Sequence, residues 1–183
     1  MFQLNFDGAS KGNLGKAGYR GVFRDHNGNP QCIFMGSIGW DTNNSAELEG
    51  LWRGLKLAHE KGFFLLIIER DSQIIIIMII KLQHGSPIHK VSNSWRMAER
   101  LELINNWLSE HQAISCKHTK KEGNKLADFL ANLGVEAKGG YFEGTIASLV
   151  TEDQITKVQE IVTQDKSQIK NTHPYAGDSN SIQ

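Results

Sequence analysis

Four carboxylates stand where the sequence predicts that strands or helices begin or end. They are Asp7, Glu47, Asp71 and Asp128, and each belongs to a short, distinctive polar neighbourhood. Side chains at such positions can converge on one crevice, where carboxylate oxygens hold hard divalent cations. The pattern therefore indicates a two-metal site, and the chemistry that such a site suits is phosphodiester hydrolysis.

Each of these acids, taken alone, also has a simple structural explanation. Glu47 occupies the glutamate position of a capping box that Asn44 would open. Asp7 could begin an Asx-turn, and Asp71 could cap the helix that follows it. Asp128 in mid-helix is typical of a solvated helix face. The ordered set of four favours a common site over four unrelated explanations.

The elements that must position these acids follow from the hydrophobic pattern. Strands are predicted at 2–6, 17–25, 31–40, 63–68 and 113–117, and helices at 44–62, 73–82, around 97–108, and 124–138. Asn27-Gly28 between the second and third strands is a strong hairpin signal. Three consecutive antiparallel strands, followed by strands that alternate with helices, predict an α/β fold whose mixed sheet has a parallel half.

Composition limits the class of protein without fixing its function. Residues 1–140 carry 17 Lys and Arg against 14 Asp and Glu, and residues 141–183 carry 3 against 6. This mild basic excess permits a polyanionic partner. Cys32 and Cys116 are expected to be reduced core thiols of an intracellular protein, although a disulfide stays open. The longest apolar run, Ile74 to Ile80, is too short to span a bilayer.

The chain is expected to divide near residue 140. Residues 1–140 form the predicted catalytic domain, and residues 141–183 form a C-terminal extension. In the extension, Thr151-Glu152-Asp153 predicts a short helix at 151–164, and the residues from Lys166 to Gln183 are expected to be disordered. A strand that begins almost at the first residue indicates either a trimmed chain or a piece of a longer polypeptide.

The four acidic motifs resemble the type 1 ribonuclease H family, and particularly the reverse transcriptase-like ribonuclease H domains of plant retrotransposons. The resemblance covers Phe2 to Lys138 and includes a fifth match, His118, ten residues before Asp128. The matched stretches are Asn5-Phe6-Asp7-Gly8-Ala9-Ser10, Asn43-Asn44-Ser45-Ala46-Glu47-Leu48, Glu69-Arg70-Asp71-Ser72-Gln73 and Asn124-Lys125-Leu126-Ala127-Asp128-Phe129-Leu130-Ala131. The resemblance implies the ribonuclease H-like fold, a five-stranded mixed sheet flanked by helices.

The resemblance also implies a role for each matched residue. Asp7 would bridge two Mg²⁺ ions, for which Mn²⁺ could substitute. Glu47 and Asp71 would complete the shell of one ion, and Asp128 that of the other. His118 would assist proton transfer or product release, because imidazole changes charge near neutral pH. The implied reaction is endonucleolytic cleavage of the RNA strand of RNA/DNA hybrids, which leaves 5′-phosphate and 3′-hydroxyl ends.

The substrate contacts implied by the resemblance depend on reading 2′-hydroxyls in a minor groove. The residues expected to approach the RNA strand are Gly8, Ser10, Asn13, Asn43 and Asn44, and Thr42 is expected to contact a DNA phosphate. The segment between the second helix and Trp107 carries no dense Lys/Arg cluster, so the basic protrusion of bacterial relatives is missing. Trp95 and Trp107 are expected to be core residues.

Two other functions remain open at this point. The first is a domesticated, weakly active or inactive module that binds nucleic acid or protein. The second is a proofreading-type exonuclease, which would want another acid two residues after Asp7, where Ala9 stands. The other partner expectations are a monomer, a reverse transcriptase domain in a longer polypeptide, no membrane, and a nuclear or cytoplasmic location that the sequence does not distinguish.

Overall fold

A mixed sheet with helices against it carries the site residues. The computed structural model describes residues 1–63, 65–70, 72–111, 114–118, 126, 141–145, 148 and 152–172. The strands in that part of the chain are β1 (Phe2–Ser10), β2 (Gly15–Arg24), β3 (Pro30–Asp41), β4 (Leu66–Arg70), β5 (Ile114–His118) and β6 (Phe142–Gly144). The helices are α1 (Asn43–Glu60), α2 (Gln73–Gln83), α3 (Ile88–Val91), α4 (Trp95–Glu110) and α5 (Glu152–Thr172).

The strand order is β5-β4-β1-β2-β3-β6. β1, β2 and β3 are antiparallel neighbours, while β4 runs parallel to both β1 and β5. The predicted mixed sheet is therefore present, with six strands instead of five. The extra strand is β6, whose three residues pair with Ile33, Phe34 and Met35 of β3.

Alternation along β2 and β3 divides the core between the two faces of the sheet. Phe23 and Phe34 join the larger cluster, which also contains buried side chains of α1, α2 and α4. Their neighbours Val22 and Ile33 join a second cluster that includes Val158 of α5. Successive strand residues point to opposite faces, so this hairpin supplies both halves of the core.

The helix α1 packs closely on β1 and is anchored to α4. Gly54 of α1 leaves room for Leu4, because a β-carbon at this glycine would lie 2.6 Å from the end of the Leu4 side chain. Glu49, which is buried, accepts hydrogen bonds from Arg53 at 2.7 Å and from Arg100 of α4 at 2.9 Å. This charged cluster fixes the helix that carries Glu47.

The C-terminal extension differs from its prediction. The helix expected at 151–164 runs from Glu152 to Thr172, so it includes seven residues of the tail that was expected to be disordered. The helix continues because Val158 and Asp165, two turns apart, are both buried. Residues 173–183 lie outside the described residues, and the division near residue 140 stays a prediction.

Two further expectations from the sequence have clear outcomes. Helix α2 forms despite its β-branched composition, since Ile75, Ile79 and Leu82 are buried against the core. The core assignment of Trp95 is wrong: its side chain is 77% exposed at the start of α4, where Arg96 stacks on it. No helix in the described ranges has the length and apolar composition that a membrane span requires.

Candidate functional site

Asp7 lies within β1, and not at its end, because pairing with β2 continues to Ser10. The antiparallel register sets Arg20 of β2 directly opposite, and the guanidinium Nη2 donates to the Asp7 carboxylate Oδ2. The two side chains are only 14% and 12% exposed. A carboxylate in mid-strand that accepts from a guanidinium across the hairpin is a candidate oxygen ligand, and not the start of an Asx-turn.

Glu47 lies one turn inside α1, on its buried side. The cap of α1 is Thr42, whose hydroxyl accepts a hydrogen bond from Ser45 N at 3.2 Å. The predicted capping box is therefore wrong, because Ser45 and not Glu47 is the third residue after the cap. Glu47 is 9% exposed. Helix capping therefore does not explain why a glutamate stands at residue 47.

Asp7 and Glu47 are brought together by Gly8. A β-carbon at Gly8 would collide with the main chain of Ala46 and Glu47, including the Ala46 carbonyl oxygen at 2.6 Å. Likewise, a β-carbon at Gly50, one turn further along α1, would lie 3.1 Å from the carbonyl oxygen of Asp7. Only glycine allows this approach, so the segments that carry the two acids are in direct main-chain contact.

The carboxyl ends of β4 and β5 lie on the other side of β1. Asn5 of β1 pairs in register with Glu69, and Arg70 pairs with His118. Asp71 follows Arg70 in sequence, but Asp71, Asp128 and the side chain of His118 lie outside the described residues. In the described part of the chain, no group of three or more His, Cys, Asp or Glu residues could hold a metal ion.

The loop after β1 is joined to the N-terminus of α1 by two reciprocal hydrogen bonds. Ser10 N donates to Asn43 Oδ1 at 2.6 Å, and Asn43 N donates to Asn13 Oδ1 at 3.1 Å. Asn13 adopts a left-handed conformation, with φ of 54°. Each of these amide oxygens accepts one main-chain hydrogen bond, which orients the side chain and leaves its Nδ2 donor available to a ligand.

The six predicted substrate contacts lie in two adjoining segments near Asp7, the end of β1 with its following loop and the start of α1. Their environments differ: Gly8 is buried beneath α1, whereas Asn13 is exposed and Ser10, Asn43 and Asn44 are partly exposed. The Thr42 hydroxyl bonds to both the main chain and the side chain of Ser45, so it serves the helix cap. The structure thus places all six together, and their contact with nucleic acid stays a prediction.

Sequence reasoning missed two charged residues near this surface. Arg20 could have been found from the hairpin register, since Ser10 pairs with Ala17 and Asp7 with Arg20. Glu69 is 2% exposed and accepts a hydrogen bond from Asn5 Nδ2 at 3.3 Å. Its burial had no signal in the sequence, where it adjoins Arg70 and Asp71 like any surface residue.

Comparisons with known proteins agree with this arrangement. The family model described as reverse transcriptase-like matches residues 5–134. A protein of Arabidopsis thaliana named as a ribonuclease H protein is 32% identical over 158 residues, which are 84% of this chain. This chain spans only 24% of the length of that relative.

Two solved structures are similar over most of their length. Ribonuclease H1 of the archaeon Halobacterium salinarum is 28% identical, with a TM-score of 0.62, and the match covers 74% of this chain and 98% of that one. A ribonuclease H1 isolated from compost, solved in complex with an RNA/DNA hybrid, is 27% identical with a TM-score of 0.59. That match covers 71% of this chain and 93% of the other.

Proposed function

Because the chain belongs to the type 1 ribonuclease H family, in its reverse transcriptase-like branch, we propose that it cleaves the RNA strand of RNA/DNA hybrids by metal-dependent catalysis. The family match and the solved structures confirm the family and the ribonuclease H-like fold expected from the sequence, and the names of the relatives support the enzyme class. The observation that carries the proposal is the contact of Gly8, the residue after Asp7, with the main chain of Ala46 and Glu47.

The donors present fit hard divalent cations. Asp7 and Glu47 offer carboxylate oxygens from neighbouring segments that are largely buried, and oxygen donors favour Mg²⁺ or Mn²⁺ over softer metals. Asp71 and Asp128 would complete the ligand set. Two such ions, if bound there, would supply water activation and would neutralise charge on the phosphate and on the departing 3′-oxygen.

The chain's own residues would bind and orient the hybrid. The Nδ2 donors of Asn13, Asn43 and Asn44 suit the 2′-hydroxyl oxygens of an RNA strand in a minor groove, which have no counterpart in DNA. The two hydrogen bonds that join the loop to α1 orient the side chains of Asn13 and Asn43. His118 would accept or deliver a proton near the leaving group. The products would carry 5′-phosphate and 3′-hydroxyl ends.

Substrate affinity is expected to be low for the isolated chain. The segment from α2 to α4 contains one short helix, Ile88–Val91, and its basic side chains are dispersed. An attached reverse transcriptase domain would supply the missing contacts with the hybrid. The Arabidopsis relative, which is several times longer than this chain, has room for such a domain. We propose that hydrolysis by the chain alone is limited by hybrid binding.

Hydrolysis of a hybrid labelled on its RNA strand tests the proposal. With Mg²⁺ or Mn²⁺, we expect cleavage of the hybrid but not of duplex DNA, and loss of cleavage in Glu47→Gln and Asp71→Asn. Glu60→Gln is the matched control, because Glu60 lies at the far end of the same helix and is 54% exposed. It should keep full activity.

The alternative function predicts another result. A binding module would retain the hybrid in a mobility-shift assay without cutting it at any protein concentration with either metal. That outcome would refute the nuclease proposal and support the module. Cleavage that survives in both Glu47→Gln and Asp71→Asn would instead refute the proposed carboxylate site.

A further inference from the structure

A buried ion pair joins the sheet to the C-terminal helix. Arg24, at the end of β2, donates from Nη2 to Oδ2 of Asp165 on α5 at 2.6 Å, and neither side chain is exposed to solvent. Arg24 Nη1 also donates to the carbonyl oxygen of Gly28 at 3.2 Å. Burial lowers the pKa of Arg24, and the charge of Asp165 opposes that shift. The guanidinium is thus held between a hairpin turn and α5.

The same carboxylate oxygen makes a second contact. Asp165 Oδ2 accepts a hydrogen bond from Leu126 N at 3.1 Å, and this bond is buried. The Leu126 side chain is fully buried in the smaller core cluster, together with Val22, Ile33, Met35 and Val158. One oxygen therefore connects β2, α5 and the main chain at Leu126.

Leu126 is two residues before Asp128 in the sequence. We propose that Asp165 is a positioning residue of the hydrolytic site, which fixes the start of the segment that carries Asp128. This inference rests on the proposed function, because it assigns the segment a metal ligand. It extends the site to residues 152–172, which lie beyond the 5–134 match to the family model.

A purely structural role for Asp165 makes a different prediction. If the ion pair only docks α5, then replacing both charges by apolar groups of similar size should be tolerated, as in other buried pairs. If Asp165 positions Leu126, the hydrogen bond that it accepts matters as well, because a buried N–H without an acceptor drives its segment to rearrange.

Two double variants separate these roles. Arg24→Met with Asp165→Asn removes both charges but keeps a side-chain oxygen at residue 165 that can accept from Leu126 N. Arg24→Met with Asp165→Leu removes both charges and the acceptor, and keeps the branched arrangement of heavy atoms at residue 165. The two variants differ in the polar amide group at residue 165, whose oxygen is the acceptor for Leu126 N, so each serves as the control for the other.

Mn²⁺ affinity, measured by calorimetry on the folded proteins, is the main readout. We expect the leucine variant to bind Mn²⁺ about tenfold more weakly than the asparagine variant, the size typical of lost outer-shell support. Its kcat on the hybrid should fall while KM stays unchanged. Equal Mn²⁺ affinities and equal kcat values in the two folded variants would overturn the proposal.

Amide hydrogen exchange on the wild-type protein gives a test that needs neither a variant nor activity. The Leu126 amide should exchange as slowly as the amides of α5, because one opening event exposes both. A rapidly exchanging Leu126 amide would overturn the proposal even if the leucine variant fails to fold. Wild-type protein that binds no Mn²⁺ and cuts no hybrid would instead refute the proposed function, while the exchange result would still decide whether Asp165 fixes Leu126.

Discussion

Substitution of Gly8 by alanine tests the contact on which the site depends. The added β-carbon would lie 2.6 Å from the Ala46 carbonyl oxygen, and ordinary contact begins at 3.4 Å. The obstacle is main chain, so no side-chain rotation relieves it, and α1 must retreat from β1 by about 0.8 Å or more. A displacement of about 1 Å in a catalytic arrangement costs about 100-fold in rate. We expect kcat to fall by about that factor.

The matched control is Gly54→Ala, at the same interface between α1 and β1. Its β-carbon would meet the ends of the Leu4 side chain, at 2.6 and 3.0 Å, and these can rotate away. Overpacking is expected to destabilise either variant by about 1–3 kcal/mol. Alanine in the helix interior offsets part of this cost at residue 54 by about 1 kcal/mol. Only Gly8→Ala should lose activity.

The assay combines single-turnover hydrolysis of a labelled hybrid, calorimetric Mn²⁺ binding and urea unfolding. Gly8→Ala should show weaker Mn²⁺ binding together with the lower kcat, while a cooperative urea transition shows that the protein is folded. A folded Gly8→Ala variant with wild-type kcat and wild-type Mn²⁺ affinity would refute the reasoning. So would an equal loss of activity in Gly54→Ala.

Three further predictions concern single side chains. Arg20→Leu should destabilise the metal-free protein by about 3 kcal/mol, because it leaves the largely buried Asp7 carboxylate without its guanidinium. Mn²⁺ should then raise the Tm of this variant more than it raises the Tm of the wild type. Equal Tm shifts in the two proteins would contradict this prediction. Thr42→Ala should lower the free energy of unfolding by about 1 kcal/mol, because Ser45 N loses its hydrogen-bond acceptor at the helix cap. Thr42→Ser keeps the hydroxyl and should keep the wild-type stability. Equal urea midpoints for the two variants would contradict this prediction. Burial raises the pKa of the Cys116 thiol from 9.0 to about 11. The stability that the neutral buried thiol contributes should therefore be complete below pH 9 and should be lost as the pH rises to 11. Between pH 8 and 11, the free energy of unfolding of Cys116→Ala should fall by about 2 kcal/mol less than that of the wild type. Identical pH profiles of stability for the two proteins would exclude the effect.

Local patterns predicted the first half of the fold well. The hairpin at Asn27-Gly28 and the helix that follows Thr42 depend on turn chemistry and on periodicity within a few residues. The cap of α1 was misplaced because Thr42, Asn43, Asn44 and Ser45 are all good caps, and the choice among them is made by where β3 ends at Asp41.

The C-terminal elements were harder to predict, for a physical reason. β6 has three residues and exists only because β3 offers an open edge. On α5, the buried side of the helix contains a carboxylate, and its partner Arg24 is 141 residues away. A buried Asp interrupts the apolar stripe that identifies an amphipathic helix. A pattern within a few residues cannot indicate a partner as distant in sequence as Arg24.

The site itself was predictable in part. The order of the acidic motifs indicated that Asp7 and Glu47 belong together, and the structure places their segments in contact. The roles of Asp71, His118 and Asp128 stay predictions. Arg20 was missed because no motif includes it, although the hairpin register places it opposite Asp7.

The distance along the chain between Arg24 and Asp165 also has a consequence for biosynthesis. A ribosome that adds about 5–20 residues per second needs about 7–28 s to advance the 141 residues from Arg24 to Asp165. During that interval the guanidinium has no carboxylate to accompany it into the interior, so it must stay hydrated. The hairpin of β2 and β3 therefore cannot reach its final packing on a nascent chain before α5 has emerged.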